Sequence, residues 1–295
     1  MGPDGGSAAL VADRGLDAAG GRSAPPPRRA RLSGQHGTCA VRLARHGAAT
    51  VVVRRFATQP WGAVQATRPD ASGMPEVQLT NPGGGVLGGD HLDLEVTLEP
   101  AARATVCTQG ATKVYRGAQA VQLTRLSVAS GAVLEYVPHH VIPFAGARWC
   151  QHTVIELAPD AGLLAWDACA AGRVARGERF AFDGLSARTA VLRDGVPQAV
   201  DGWELGGGGE PFGGFSYVAT AYVAAPGDLA ALAERLHAAV VGIPSTLASA
   251  STPTSGLVVV RVLAHAAPAL ARALRTVRSA GRAALQLGPP PRTLP

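Results

Sequence analysis

Three short stretches in the middle of the chain share one pattern. They are Leu98-Glu-Pro-Ala-Ala-Arg-Ala-Thr105, Val128-Ala-Ser-Gly-Ala-Val-Leu-Glu135 and Leu157-Ala-Pro-Asp-Ala-Gly-Leu-Leu164, set 30 and 29 residues apart. Each reads as strand, turn, strand. A unit this small cannot bury its apolar face alone, so a fixed period of this length points to units stacked on one another. The predicted fold class is mainly β, with a stacked, β-helix-like body rather than a Greek-key sandwich. Local patterning agrees. From His91 to Glu99 the polar residues His91, Asp93, Glu95, Thr97 and Glu99 alternate with Leu92, Leu94, Val96 and Leu98, the period of a half-buried strand. Similar short segments recur from Val41 to Val223.

Past residue 225 the period changes. Asp228 can cap a helix carrying Leu229, Leu232, Leu236 and Val240, and a second helix is expected from Pro268 through Leu270, Leu274 and Val277, with Arg272, Arg275 and Arg278 on its other face. Leu257 to Leu263 between them reads as a buried strand. The expected organisation is a disordered leader at 1–31, rich in Gly, Ala, Pro and Arg, a β-rich body at 32–225, and a small α/β part at 226–295 that ends in a Pro-rich tail.

Charge narrows the function classes. The net charge is +6, but it is unevenly spread: the first 55 residues and the last 35 are basic, while the long middle carries more acids than bases. An acidic middle disfavours a phosphate backbone and suits handling a cation. Lys113 is the only lysine among the basic residues. Cys39, Cys107, Cys150 and Cys169 include no C-x-x-C pair, so free thiols are expected rather than a zinc knuckle or a disulfide framework. The leader lacks the apolar stretch of a signal peptide and no apolar run approaches a membrane span, which predicts a soluble, cytoplasmic protein with no membrane partner.

The glycine-dense run Asn81-Pro-Gly-Gly-Gly-Val-Leu-Gly-Gly-Asp90 contains the letters of a dinucleotide loop in Gly83, Gly85 and Gly88. That fingerprint requires a helix next, and here a strand follows. A phosphate loop of the Walker type requires Lys and Ser or Thr where this chain has Gly89 and Asp90, and a carboxylate there repels phosphate. What remains is a tight bend with an acid at its exit. Asp90 is in phase with Leu92 and Leu94 and so points to the apolar side. It either caps the turn through backbone or acts as an inward-facing functional acid.

The ordered set Leu79-Thr-Asn-Pro-Gly-Gly-Gly-Val-Leu-Gly-Gly-Asp90, Thr108-Gln-Gly-Ala-Thr-Lys-Val-Tyr-Arg116, Leu134-Glu-Tyr-Val-Pro138, Ile142-Pro-Phe-Ala-Gly-Ala147, Leu163-Leu-Ala-Trp-Asp167 and Gly177-Glu-Arg-Phe180 resembles the urease accessory protein UreD family, also called UreH. The resemblance implies a non-enzymatic chaperone that joins the helical protein UreF and the GTPase UreG on apo-urease, with nickel supplied indirectly by the metallochaperone UreE. It also implies an internal acidic passage for transient nickel(II), with no tightly bound cofactor. Carried over by position, the passage residues are Asp90, Asp167, Glu178 and Asp201, with His91 as an additional imidazole. Gly83, Gly84, Gly85, Gly88, Gly89, Lys113, Tyr115 and Arg116 form the structural or partner motif. For each acid the plain alternative is an ion pair with an Arg such as Arg173 or Arg148.

Two other classes are open to a chain of this kind. A β-solenoid carbohydrate-active enzyme would need a set of nucleophile, base and orienting residues, and Gly214-Phe-Ser-Tyr-Val218 lacks the second glycine of a nucleophile elbow. A basic nucleic-acid-binding protein would need an unbroken basic face with interleaved aromatics, which the acidic middle denies. The chain is therefore expected not to be an enzyme and not to bind nucleic acid.

Overall fold

The structure, a computed structural model, describes residues 34–62, 64–68 and 73–290. The expected leader at 1–31 lies outside the described residues, as does the last part of the tail. In chain order the strands are β1 (His36–His46), β2 (Ala49–Ala57), β3 (Gln65–Thr67), β4 (Glu76–Leu79), β5 (His91–Leu98), β6 (Arg103–Thr108), β7 (Thr112–Val114), β8 (Ala120–Val128) and β9 (Val133–Tyr136). They continue as β10 (Val141–Pro143), β11 (Arg148–Leu157), β12 (Gly162–Ala170), β13 (Gly184–Arg193), β14 (Val196–Gly206), β15 (Tyr217–Ala224), β16 (Thr246–Thr254) and β17 (Leu257–Ala264). The helices are α1 (Leu229–Val241) and α2 (Ala267–Ala284).

The strands build two sheets. One runs β14-β13-β11-β8-β5-β1-β2; the other runs β16-β17-β15-β12-β9-β6-β4-β3, with β7 and β10 attached. The chain winds between them, so β5, β8, β11 and β13 stack in parallel in the first sheet and β4, β6, β9 and β12 in the second. The sequence repeat is this winding. Leu98, Val128 and Leu157 are direct neighbours across the first sheet, and Arg103, Val133 and Gly162 across the second.

The corner between them is the same turn three times. The amides of Ala102, Ala132 and Ala161 donate to the carbonyls of Glu99, Ala129 and Ala158 at 3.1, 3.0 and 3.1 Å. All three alanines are buried. The rungs are bonded to each other as well: Ala129 N–H donates to Leu98 O and Ala158 N–H to Val128 O.

Two cores result. Alternate residues of the second sheet separate them, Leu163 and Ala165 facing the first sheet and Leu164 and Trp166 facing the helices. Between the sheets pack Leu94, Val96, Leu126 and Ile155. The second core holds Leu232 and Leu236 of α1 and Leu270 and Val277 of α2. As expected, the Asp228 side chain accepts the Ala231 N–H at 3.0 Å and starts α1. The C-terminal part shares its sheet with the body through the antiparallel pair β15 and β17.

Two expectations require correction. The segment between the helices is a hairpin of β16 and β17, not a single strand. Its first strand, TLASASTPT, lacks an apolar run to reveal it. Arg278 is not on a solvated face of α2. It is 2% exposed, and with Arg282 at 1% it surrounds the fully buried Glu135 of β9. The four thiols are free, with Cys39, Cys107 and Cys169 buried. Among the described residues no helix is long and apolar enough to cross a membrane.

Candidate functional site

The glycine run forms the loop between β4 and β5 and is held by its own polar atoms. Asn81 Oδ1 accepts the Gly83 N–H at 3.0 Å, and Asn81 Nδ2 donates to Gly85 O at 2.9 Å. Gly85, at φ 157°, lies so close to β7 that a Cβ there would stand 2.6 Å from the Tyr115 ring and 2.7 Å from Lys113 O. A Cβ on Gly88 would stand 2.6 Å from Gly117 Cα. Gly84, at φ 76°, and Gly89, at φ 88°, take the left-handed bends that complete the loop. Tyr115 reaches back to Gly84 O at 3.4 Å and packs edge-on to Phe144. Arg116 bridges to Ala147. Lys113 is exposed, at the rim of the cavity beside the loop.

Asp90 is indeed inward-facing, at 2% exposure. Both its oxygens accept backbone N–H groups, Oδ2 from Leu87 at 2.8 Å and Oδ1 from Gln35 at 2.9 Å. The two readings of this residue merge: it is a buried acid whose partners are the turn and the chain beside it. Glu178 does comparable work elsewhere. It pairs with Arg173 and accepts the Ala145 N–H at 2.6 Å, which clasps two loops together. Its carboxyl is held below the usual carboxylate range, chiefly by the Arg173 hydrogen bond. His91 sits on the outer side of β5, beside Asp93 and His36.

Asp167 and Asp201 do meet. The inward face of the first sheet is apolar except for a belt of polar neighbours. Gln122 stands next to Gln151, and Thr124, Thr153, Thr189 and Asp201 follow one another across β8, β11, β13 and β14. Asp167 faces this belt from β12. It accepts Gln151 Nε2 at 2.8 Å and the Thr189 hydroxyl. Asp201 accepts the Tyr222 hydroxyl at 3.3 Å and Arg261 Nη2 at 2.6 Å. Hydrogen bonds thus join the two sheets along this belt. Burial pushes the Asp167 carboxyl up, the Thr189 and Gln151 bonds oppose it, and the Asp201 charge raises it further. Burial also raises the Cys169 thiol to about 12, so without a metal it is protonated at neutral pH.

Three cavities run along the belt and share walls. The first, of about 200 Å³, opens beside the glycine loop and Lys113. Through Trp61, Thr108 and Gln122 it adjoins a narrow one of about 30 Å³, which reaches Gln151 and Asp167. Those two residues in turn line a third, of about 20 Å³, which Asp201 lines as well. Such spaces hold water only when their walls offer polar partners. Trp61 Nε1 on this path and Thr153 Oγ1 in the belt are buried with no partner among the described protein atoms. His139, in the wall of the narrow cavity, holds its Nδ1 3.0 Å from Thr108 O. Its pKa is lowered by burial, which favours the neutral, metal-binding form of the ring.

The model of the UreD urease accessory protein family matches residues 35–294. The chain belongs to the UreD family. Among its relatives, "Urease accessory protein UreD 2" of Brucella anthropi is 35% identical over 208 residues, covering 68% of this chain and 76% of that protein. The UreD of Cenarchaeum symbiosum is 28% identical over 255 residues, 82% of this chain and 90% of its own. That of Anaeromyxobacter sp. is 40% identical over 168 residues, covering 56% of each.

Reading the sequence for acids alone missed most of the UreD belt. Gln122, Thr124, Gln151 and Thr189 are uncharged, but they sit on the phase that carries Leu126, Ile155 and Val191 further along the same strands. Polar residues on an apolar phase were the signal that could have revealed them.

Proposed function

We propose that this UreD-family chain acts in urease maturation as a non-catalytic scaffold, in the cytoplasm, joining UreF and the GTPase UreG to apo-urease. In this reading nickel(II), as cargo delivered through UreE, passes between the two sheets along the polar belt. The observation that carries it is that Asp167 and Asp201 line one small cavity, which shares wall residues with the other cavities along the polar belt. Carboxylate, amide and hydroxyl oxygens hold nickel less tightly than imidazole or thiolate, which suits transit rather than storage.

The test is co-expression of the Asp167→Ala, Asp201→Ala double variant with UreF, UreG and apo-urease. A co-purified complex with reduced urease activation and nickel content is the expected result. Full activation in an intact complex would remove the passage, whereas failure of the unaltered chain to co-purify with UreF would remove the scaffold.

A further inference from the structure

On the outer face of the first sheet, three metal-capable side chains converge. His36 and His91 are direct neighbours on the parallel strands β1 and β5, where strands lie about 4.8 Å apart. Asp93 follows His91 on the same face. His36 Nε2 stands 2.7 Å from Asp93 Oδ2, and His91 Nε2 stands 3.7 Å from Asp93 Oδ1. The two imidazoles meet edge to face, with centroids 4.7 Å apart. One donor atom from each residue lies within 4.8 Å of the other two. Ligands about 2.0–2.2 Å from a tetrahedral ion are separated by roughly 3.3–3.6 Å, so side-chain rotations that draw the donors about 1 Å closer would close the site around an ion.

We propose that His36, His91 and Asp93 form a surface site for a divalent transition-metal ion of the nickel, zinc or copper type. Two imidazole nitrogens and one carboxylate favour such ions over magnesium or calcium, which prefer oxygen alone. The His36 side chain is 65% exposed, that of His91 41% and that of Asp93 25%. Water or a partner's ligand can therefore complete the coordination sphere, and the ion would exchange readily. The site lies on the face opposite the polar belt, since His91 and Asp93 alternate with the buried Leu92 and Leu94. It does not depend on the passage reading.

The same face offers a built-in control. Cys150 Sγ and His152 Nε2 lie 3.5 Å apart on β11 and supply only two donors. The experiment titrates nickel(II) chloride into the purified full chain by calorimetry, with cobalt(II) absorption as a second readout of bound imidazole. Saturable binding that persists in excess magnesium is expected. The His91→Gln and Asp93→Asn variants should each weaken it at least about tenfold, since loss of even an outer-shell partner costs that much. Cys150→Ser with His152→Gln should leave it unchanged. All the altered side chains of the site project outward, so circular dichroism should match the parent chain. The proposal is overturned by the absence of saturable binding, by unchanged affinity in the His91 and Asp93 variants, or by binding that follows Cys150 and His152.

Discussion

Glu135 and Arg278 are 143 positions apart in the chain and 2.7 Å apart in the core. Arg278 grips the carboxylate through Nε and Nη2, Arg282 adds Nη1 at 2.8 Å, and the Thr105 hydroxyl donates at 2.6 Å. This cluster ties α2 to the middle of the second sheet. Burial pushes the Glu135 carboxyl up, but the Arg278 hydrogen bond and the two guanidinium charges outweigh it and leave its pKa lowered. Removing the carboxylate strands two buried guanidinium charges, so Glu135→Leu should destabilise the fold by about 3–5 kcal/mol. Replacing Glu135, Arg278 and Arg282 together with apolar residues should cost less than that single change. Urea unfolding of the two variants checks the ordering.

A pH dependence follows from His140. Burial, then the neighbouring His139, brings its pKa down from 6.5 to about 4. A depressed histidine pKa means that the unfolded chain binds the proton first. Its contribution to stability is fully present above the unfolded value near 6.5 and is lost as pH falls through about 4. Glu135, also depressed, adds its own loss only below the ordinary carboxylate range. The His140→Gln variant should therefore lose less stability than the parent chain between pH 6.5 and 4.5, as urea midpoints at the two pH values would show.

Much of the architecture was legible because backbone stacking leaves a linear trace. Leu98, Val128 and Leu157 recur in the chain at the spacing at which they pair in the sheet, and Asp228 announces α1 by the chemistry of its cap. The buried Glu135 cluster left no such trace, since arginines spaced along an amphipathic helix read as a solvated face until the partner strand is known. Among the site residues, Asp167 and Asp201 could be named in advance but not joined. Their meeting depends on how two sheets face each other, which period-two alternation within one strand does not encode.

The glycine loop makes a graded prediction. Gly85 lies at φ 157° against Lys113 O and the Tyr115 ring, so Gly85→Ala must move backbone and should destabilise the loop by about 1–3 kcal/mol. Gly88→Ala meets the Gly117 backbone and should behave alike. Gly110 has nothing within 4 Å of a built Cβ and no left-handed φ, so Gly110→Ala should be near neutral. Hydrogen exchange at the amides of Val86 and Leu87 would report the order.

The acids divide by what their oxygens hold. Asp90→Ala leaves the N–H groups of Leu87 and Gln35 without their acceptor in a part-buried turn, a loss of about 1–3 kcal/mol each at most. Any fall in urease activation should then track loss of folded protein. Asp167 is the opposite case. Its pKa is raised in the fold, chiefly by burial, so the protonated form is favoured by folding and the ionised form disfavours it. That contribution is present below the ordinary aspartate value and is lost as pH rises through the raised one. Asp167→Asn, which keeps the shape without the charge, should gain stability relative to the parent as pH rises toward neutral, while urease activation falls. Thermal melts at pH 4 and pH 7, set beside activation in the co-expressed complex, would separate the two acids. A loss of stability at pH 7 for Asp167→Asn, with activation unchanged, would show that Asp167 serves the fold and not the passage.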